Sequence, residues 1–187
     1  EKYSSALAAK FSNVIAAEFS SDGALIMTLN EDHSLQIWNA KTTSPVGPDH
    51  YHTLANGAYF SADGKRVLMW GGIDPPQIWD SITGAPIGKS IDYKPNLDGV
   101  LLFKDGRRML TWNGPDTFDT TANQSWSVRL WDVDSGTEIG TGIKPPEDIE
   151  AVLLSPDESL ILTLGEKVAR LWDVDTGKQH GPEIVQG

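Results

Sequence analysis

Residues 149–177 read IEAVLLSPDESLILTLGEKVARLWDVDTG. An apolar run ends near Leu154. A tight turn follows at Ser155-Pro156-Asp157-Glu158. Two more apolar runs come next, the second closing on Leu171-Trp172-Asp173. This order of parts occurs four times in the chain. Copy one runs from Val14 as VIAAEFSSDGALIMTLNEDHSLQIWN and closes on Trp38-Asn39. Copy two reads ANGAYFSADGKRVLMWGGIDPPQIWD and closes on Trp79-Asp80. Copy three opens LDGVLLFKDGRRMLTW at Leu97 and closes SVRLWD at Trp131-Asp132. The closing tryptophans lie 41, 52 and 41 residues apart. A period near 40 signals a repeat architecture, which takes precedence over any other reading of the fold.

Each copy predicts four short strands. The first ends at Phe19, Phe60, Leu102 or Leu154, and a small residue sits three positions earlier: Ala16, Gly57, Gly99, Ala151. That recurrence predicts a crowded place where copies converge. Asp22-Gly23, Asp63-Gly64 and Asp105-Gly106 are hairpin turn signals, and Asp157-Glu158 is a weaker one. The second strands, Leu25–Leu29, Arg66–Trp70, Arg108–Trp112 and Leu160–Leu164, are apolar at nearly every position, as strands buried on both faces are. The third strands alternate: Ile37, Ile78, Leu130 and Leu171 point one way, while Gln36, Gln77, Arg129 and Arg170 point the other way with the tryptophan. A more polar fourth strand follows, with Gly47, Gly88, Gly140 and Gly181 each nine residues past its tryptophan. One such unit cannot bury both faces of its sheet alone, but stacked units can. Small residues on the first strand and a polar fourth strand imply a radial arrangement, an all-β propeller of four blades. The blades are expected at residues 10–50, 51–92, 93–144 and 145–187.

Composition limits what such a scaffold binds. The 187 residues carry a formal charge of -11 and no Lys/Arg run, which argues against nucleic acid. No apolar run reaches the roughly 18 residues a membrane span needs, and no secretory signal is visible. With no cysteine, disulfides and thiolate chemistry are excluded, and a cytoplasmic setting is expected. The chain begins at Glu1, which leaves room for a leader or a further domain upstream.

Four Trp-Asp-type closures, each after a turn of the Phe-Ser-x-Asp-Gly kind, resemble WD-repeat propellers. The Gly-x-Pro-Ile-Gly phrase at Gly84–Gly88, echoed at Gly136–Gly140, is most similar to bacterial members. The resemblance covers residues 10–187. It implies a structural group in each blade, built from a histidine, a hydroxyl, an aspartate and the tryptophan. The hydroxyl falls on Thr28, Thr111 and Thr163, with Met69 in its place in copy two. The aspartate is clear only at Asp32, and the histidine position holds Lys10, Tyr51, Tyr93 and Pro145. Trp38, Trp79, Trp131 and Trp172 are therefore expected to be held chiefly by packing.

The resemblance also implies a non-catalytic protein–protein interaction scaffold or sensor module, with no cofactor. Its partner would be a protein or peptide, and the acidic surface favours a basic one. Three tryptophans outside the closures, Trp70, Trp112 and Trp126, flank the loops between second and third strands, which form the partner face in that family. They read either as packing between blades or as binding hot spots. Copy three has an insertion at Asn113–Ser125, containing Phe118, which reads either as a tolerated surface loop or as a recognition loop. Two other readings stand beside the scaffold: an enzyme with a site built from loop carboxylates and histidines, and a self-assembly module. Family rings usually hold seven or eight blades, so four blades predict either a homodimer closing an eight-blade ring or part of a longer propeller chain. Asp132–Gly136 and Asp173–Gly177 superficially resemble calcium loops, and His50 and His52 a metal pair. Ordinary turns and a solvated loop explain both without a metal.

Overall fold

A computed structural model describes residues 14–51, 55–71, 74–91, 97–114 and 125–185. The described chain is all-β and contains no helix, so it has no helix able to cross a membrane. Its sixteen strands form four four-stranded antiparallel sheets, an arrangement compatible with a β-propeller. Unit one holds β1 Val14–Phe19, β2 Leu25–Asn30, β3 Ser34–Asn39 and β4 Pro45–Tyr51. Unit two holds β5 Gly57–Phe60, β6 Arg66–Gly71, β7 Asp74–Asp80 and β8 Pro86–Ile87. Unit three holds β9 Gly99–Leu102, β10 Arg108–Asn113, β11 Ser127–Asp132 and β12 Thr137–Ile143. Unit four holds β13 Ala151–Leu154, β14 Leu160–Leu164, β15 Val168–Asp173 and β16 Ile184–Val185. In every unit the strands are joined in sequence order, each hydrogen-bonded to the next.

Period-2 alternation gives each sheet two unlike faces. In unit two, Phe60, Val67 and Trp79 share one row, and Tyr59, Leu68, Ile78 and Ile87 share a row on the other face. The first is a tryptophan face and the second an aliphatic face. Consecutive units stack the aliphatic face of one on the tryptophan face of the next. Met27, Leu29, Leu35 and Ile37 of unit one meet Phe60, Val67 and Met69 of unit two. Leu68 and Ile78 then meet Val100, Met109 and Trp131. Leu110, Val128 and Leu130 meet Val152, Ile161 and Trp172. Three cores therefore serve four sheets.

This stacking explains the apolar second strands and shows where that reading fails. β6 and β10 are sandwiched, each with three consecutive buried residues at its centre. β14, Leu-Ile-Leu-Thr-Leu, alternates half-buried and buried instead, because only one face of unit four is covered.

The β1–β2 type of turn is stapled by a serine and an aspartate. Ser20 Oγ donates to Asp22 Oδ1 at 2.7 Å, and the N–H of Leu25 donates back to Ser20 Oγ at 2.9 Å. Ser61 with Asp63 and Ser155 with Asp157 repeat the arrangement. In unit three Phe103 takes the serine position. It is fully buried, and the Arg108 guanidinium sits 4.4 Å above its ring, a cation–π contact. The turn at Asp157-Glu158 keeps the same shape without glycine, at φ +60° for Glu158. Glu158 Oε1 accepts the Lys104 N–H at 2.7 Å, and this bond across the joint between units three and four offsets that strain.

Hydrogen bonds from the serines are the largest cause holding Asp22, Asp63 and Asp157 below the ordinary carboxylate value of 3.8, and Asp157 is pushed down to about 2. A pKa lower in the folded than in the unfolded chain favours folding above the unfolded value. That contribution is lost as pH falls from about 4 through 2. Melting temperatures measured from pH 5 to pH 2 are therefore expected to drop steeply in that window. Asp157→Asn should melt lower at neutral pH and show a shallower acid slope. An unchanged slope would show that these staples do not drive acid unfolding.

Candidate interaction face

Trp70, Trp112 and Trp126 all sit at the sheet end where second strands hand over to third strands. Trp112 ends its row against Gly99 on one side and Val128 on the other. A Cβ placed on Gly99 would lie 1.9 Å from Trp112 Cζ2. Trp70 lies over Gly57 in the same way, with its Nε1 3.0 Å from where a Cβ would stand. The small first-strand residues now have a local cause. Where the second strand carries a tryptophan, the facing residue is glycine, and where it carries Leu29 or Leu164, the facing residue is Ala16 or Ala151. The crowding comes from the same sheet rather than from a neighbouring copy. Gly99→Ala should force the Trp112 ring aside and cost about 1–3 kcal/mol, as overpacking does. Urea denaturation checks this, and a neutral result would show that the ring moves freely.

Trp112 and Trp126 each pack on the core between units three and four, while Trp70 packs one joint away, on the core between units two and three. All three are half-buried. Trp126 lies against Gly114, and its Nε1 donates to Asp148 Oδ1 at 2.7 Å. The N–H of Gly114 donates to Asp98 Oδ2 at 2.6 Å. Asn113 Oδ1 accepts from Ser127 Oγ at 2.9 Å. The result is a fixed belt of two indoles rimmed by Asp98 and Asp148. The carboxylates were not legible as partners of these groups, because they come from the connections preceding β9 and β13 and approach only through the fold. Asn113 belongs to β10 and pairs with Ser127, so the insertion is shorter than residues 113–125. Phe118 lies outside the described residues.

The closing tryptophans have firmer partners than packing alone. Trp38 Nε1 donates to Thr28 Oγ1, Trp131 Nε1 to Thr111 Oγ1 and Trp172 Nε1 to Thr163 Oγ1, each at 2.9 Å. These bonds correct the expectation that packing chiefly holds the indoles. Met69 stands in the threonine position of unit two, beside Trp79, and is fully buried. Asp32 does not join the indole pair. Its Oδ1 accepts from the Ser34 N–H at 3.0 Å and Ser34 Oγ at 2.6 Å, capping the turn in which His33 takes φ +64°.

Several other charged groups are tied into turns and pairs. Asp132 Oδ1 accepts from the N–H and Oγ of Ser135, and Asp173 Oδ1 does the same with Thr176. Both calcium-like stretches are thus self-capped turns between third and fourth strands. Arg170 Nε bridges both oxygens of Glu147 at 3.0 Å, and its Nη2 reaches Glu183 at 2.6 Å. Glu147, whose hydrogen bond is the largest cause, raises the arginine further above its ordinary value. Among the described residues no three His, Asp or Glu side chains gather as metal ligands would. Compared with known proteins, the chain matches no family model and no curated sequence.

Proposed function

We propose that the chain is a non-catalytic protein-interaction module of WD-repeat type, and that the Trp112–Trp126 belt takes a basic peptide or protein segment. The observation that carries this reading is the belt itself: two half-buried indoles, braced by glycine contacts and hydrogen bonds, with Asp98 and Asp148 at their rim. Rigid aromatic groups on a sheet scaffold lose little entropy on binding, and aspartates beside them favour Lys or Arg. The three threonine–indole bonds support the WD-type reading. A scaffold role is supported over an enzymatic one because Glu147, Asp132 and Asp173 are each engaged in structural hydrogen bonds.

Selection of random peptides on the immobilised chain tests the reading. Enriched peptides should be basic, and Asp148→Lys should weaken their binding at least tenfold by calorimetry. Deleting residues 115–124 should lower stability by less than about 1 kcal/mol, since loop length costs little, yet reduce binding. Peptides indifferent to Asp148→Lys would remove this face from the proposal.

A further inference from the structure

Among the described residues the stack of four sheets has two uncovered ends, and they differ. Unit one presents its tryptophan face outward: Phe19, Ile26, Trp38 and Pro45 form one row, and Ala17, Thr28 and Gln36 the next. Unit four presents its aliphatic face outward: Leu153, Leu162 and Leu171 form one row, and Ala151, Leu164, Ala169 and Ile184 the next. None of these residues is charged. Phe19 is 56% exposed, Leu153 49% and Ile184 56%. A groove of about 230 Å³ opens at the end of unit four where Leu164, Ala169 and Ile184 meet Lys167, Val168 and Val185. Apolar surface of this extent is a contact surface waiting for a partner.

The molecule itself shows what fits each end. At three joints an aliphatic face of this kind is covered by a tryptophan face of the next unit. The position of Leu153 corresponds to Glu18, Tyr59 and Leu101, and that of Phe19 to Phe60, Leu102 and Leu154. Those positions meet across each joint. Glu18 Oε2 accepts the Phe60 N–H at 3.1 Å, Tyr59 and Leu102 pack on one core, and Leu101 and Leu154 on another. Every copy of this chain carries one face of each kind.

We propose that a second copy of this chain covers both ends: unit four of each protomer seats on unit one of the other, closing a ring of eight sheets. Two such head-to-tail contacts repeat the internal joint and leave no sheet face open, as a closed two-fold assembly requires. The Leu153 side chain of one copy lies against Phe19 of its partner in this arrangement.

Light scattering at micromolar concentration should give twice the 20.4 kDa chain mass. Phe19→Lys and Leu153→Asp should each halve that mass while circular dichroism stays native, because neither side chain belongs to an internal core. Mixing the two variants should restore the dimer, since one of its two contacts is then unaltered and the other pairs Lys with Asp. Ile184→Asp serves in place of Leu153→Asp if the latter fails to fold. A monomeric wild-type chain overturns the proposal and assigns the ends to sheets of another kind. A dimer indifferent to these variants, or one broken by Leu153→Asp alone, overturns the head-to-tail contact. Mass that grows with concentration beyond two chains overturns ring closure.

Discussion

Trp131→Ala and Trp172→Ala are each expected to lower the unfolding free energy by about 3–5 kcal/mol, the range for deleting a large buried aromatic side chain. Trp131 is 2% exposed and fills the joint between units two and three, while Trp172, 8% exposed, fills the joint between units three and four. For Trp131 the cavity lies between two sheets that each pack on a further neighbour, so collapse around it is limited; for Trp172 only unit three has such a neighbour. It also strips the indole donor from Thr111 or Thr163, whose hydroxyls are buried. Thr111→Val separates the two effects. It keeps the ring and deletes the bond, and should cost about 1 kcal/mol. Urea denaturation followed by circular dichroism gives both numbers. A loss below about 1 kcal/mol for either tryptophan would show that its ring is not core.

Gly88→Ala is the second large effect. Gly88 has φ +77°, and a Cβ there would lie 1.9 Å from the backbone carbonyl oxygen of Val133, in the next unit. That oxygen also accepts the Lys89 N–H at 3.3 Å, so the substitution pushes on the joint between units two and three. Gly140 supplies an internal control. It holds the corresponding position nine residues past its tryptophan, with φ +78°, but a Cβ there meets nothing within 4 Å. Gly140→Ala therefore bears only the left-handed backbone cost of about 1–2 kcal/mol. Gly88→Ala bears that cost and about 1–3 kcal/mol of overpacking as well. Thermal melts of the two variants side by side make the comparison. Equal losses would mean that the Val133 carbonyl yields without cost.

Much of the fold was legible because its signals are local. Asp22-Gly23 and its counterparts place the hairpins, and the alternation of Gln36 with Ile37 or Arg170 with Leu171 assigns the faces of the third strands. Thr28, Thr111 and Thr163 are legible as hydroxyls, but their bonds to Trp38, Trp131 and Trp172 are not. The bond depends on strand register, which places Thr28 opposite Gln36 and leaves Trp38 two residues along the neighbouring strand, on the same face. The resemblance implies Asp32 for the indole group, while its carboxylate caps the local turn through Ser34. The acidic rim of the candidate face was missed for another reason. Asp98 and Asp148 lie 16 and 22 residues from Gly114 and Trp126, and no period in the chain relates them.

The sequence by itself determined that this protein is all-β and built from four repeated antiparallel units, because strand periodicity, turn chemistry and a recurrent closing tryptophan are written within each copy. Only the tertiary structure decided which face of each sheet meets which neighbour. Leu162 and Leu171 look as much like core residues as Leu110 and Leu130 do, yet they are only half-buried. Burial is a property of what lies across the gap between two sheets, and among the described residues no sheet lies against this face of unit four.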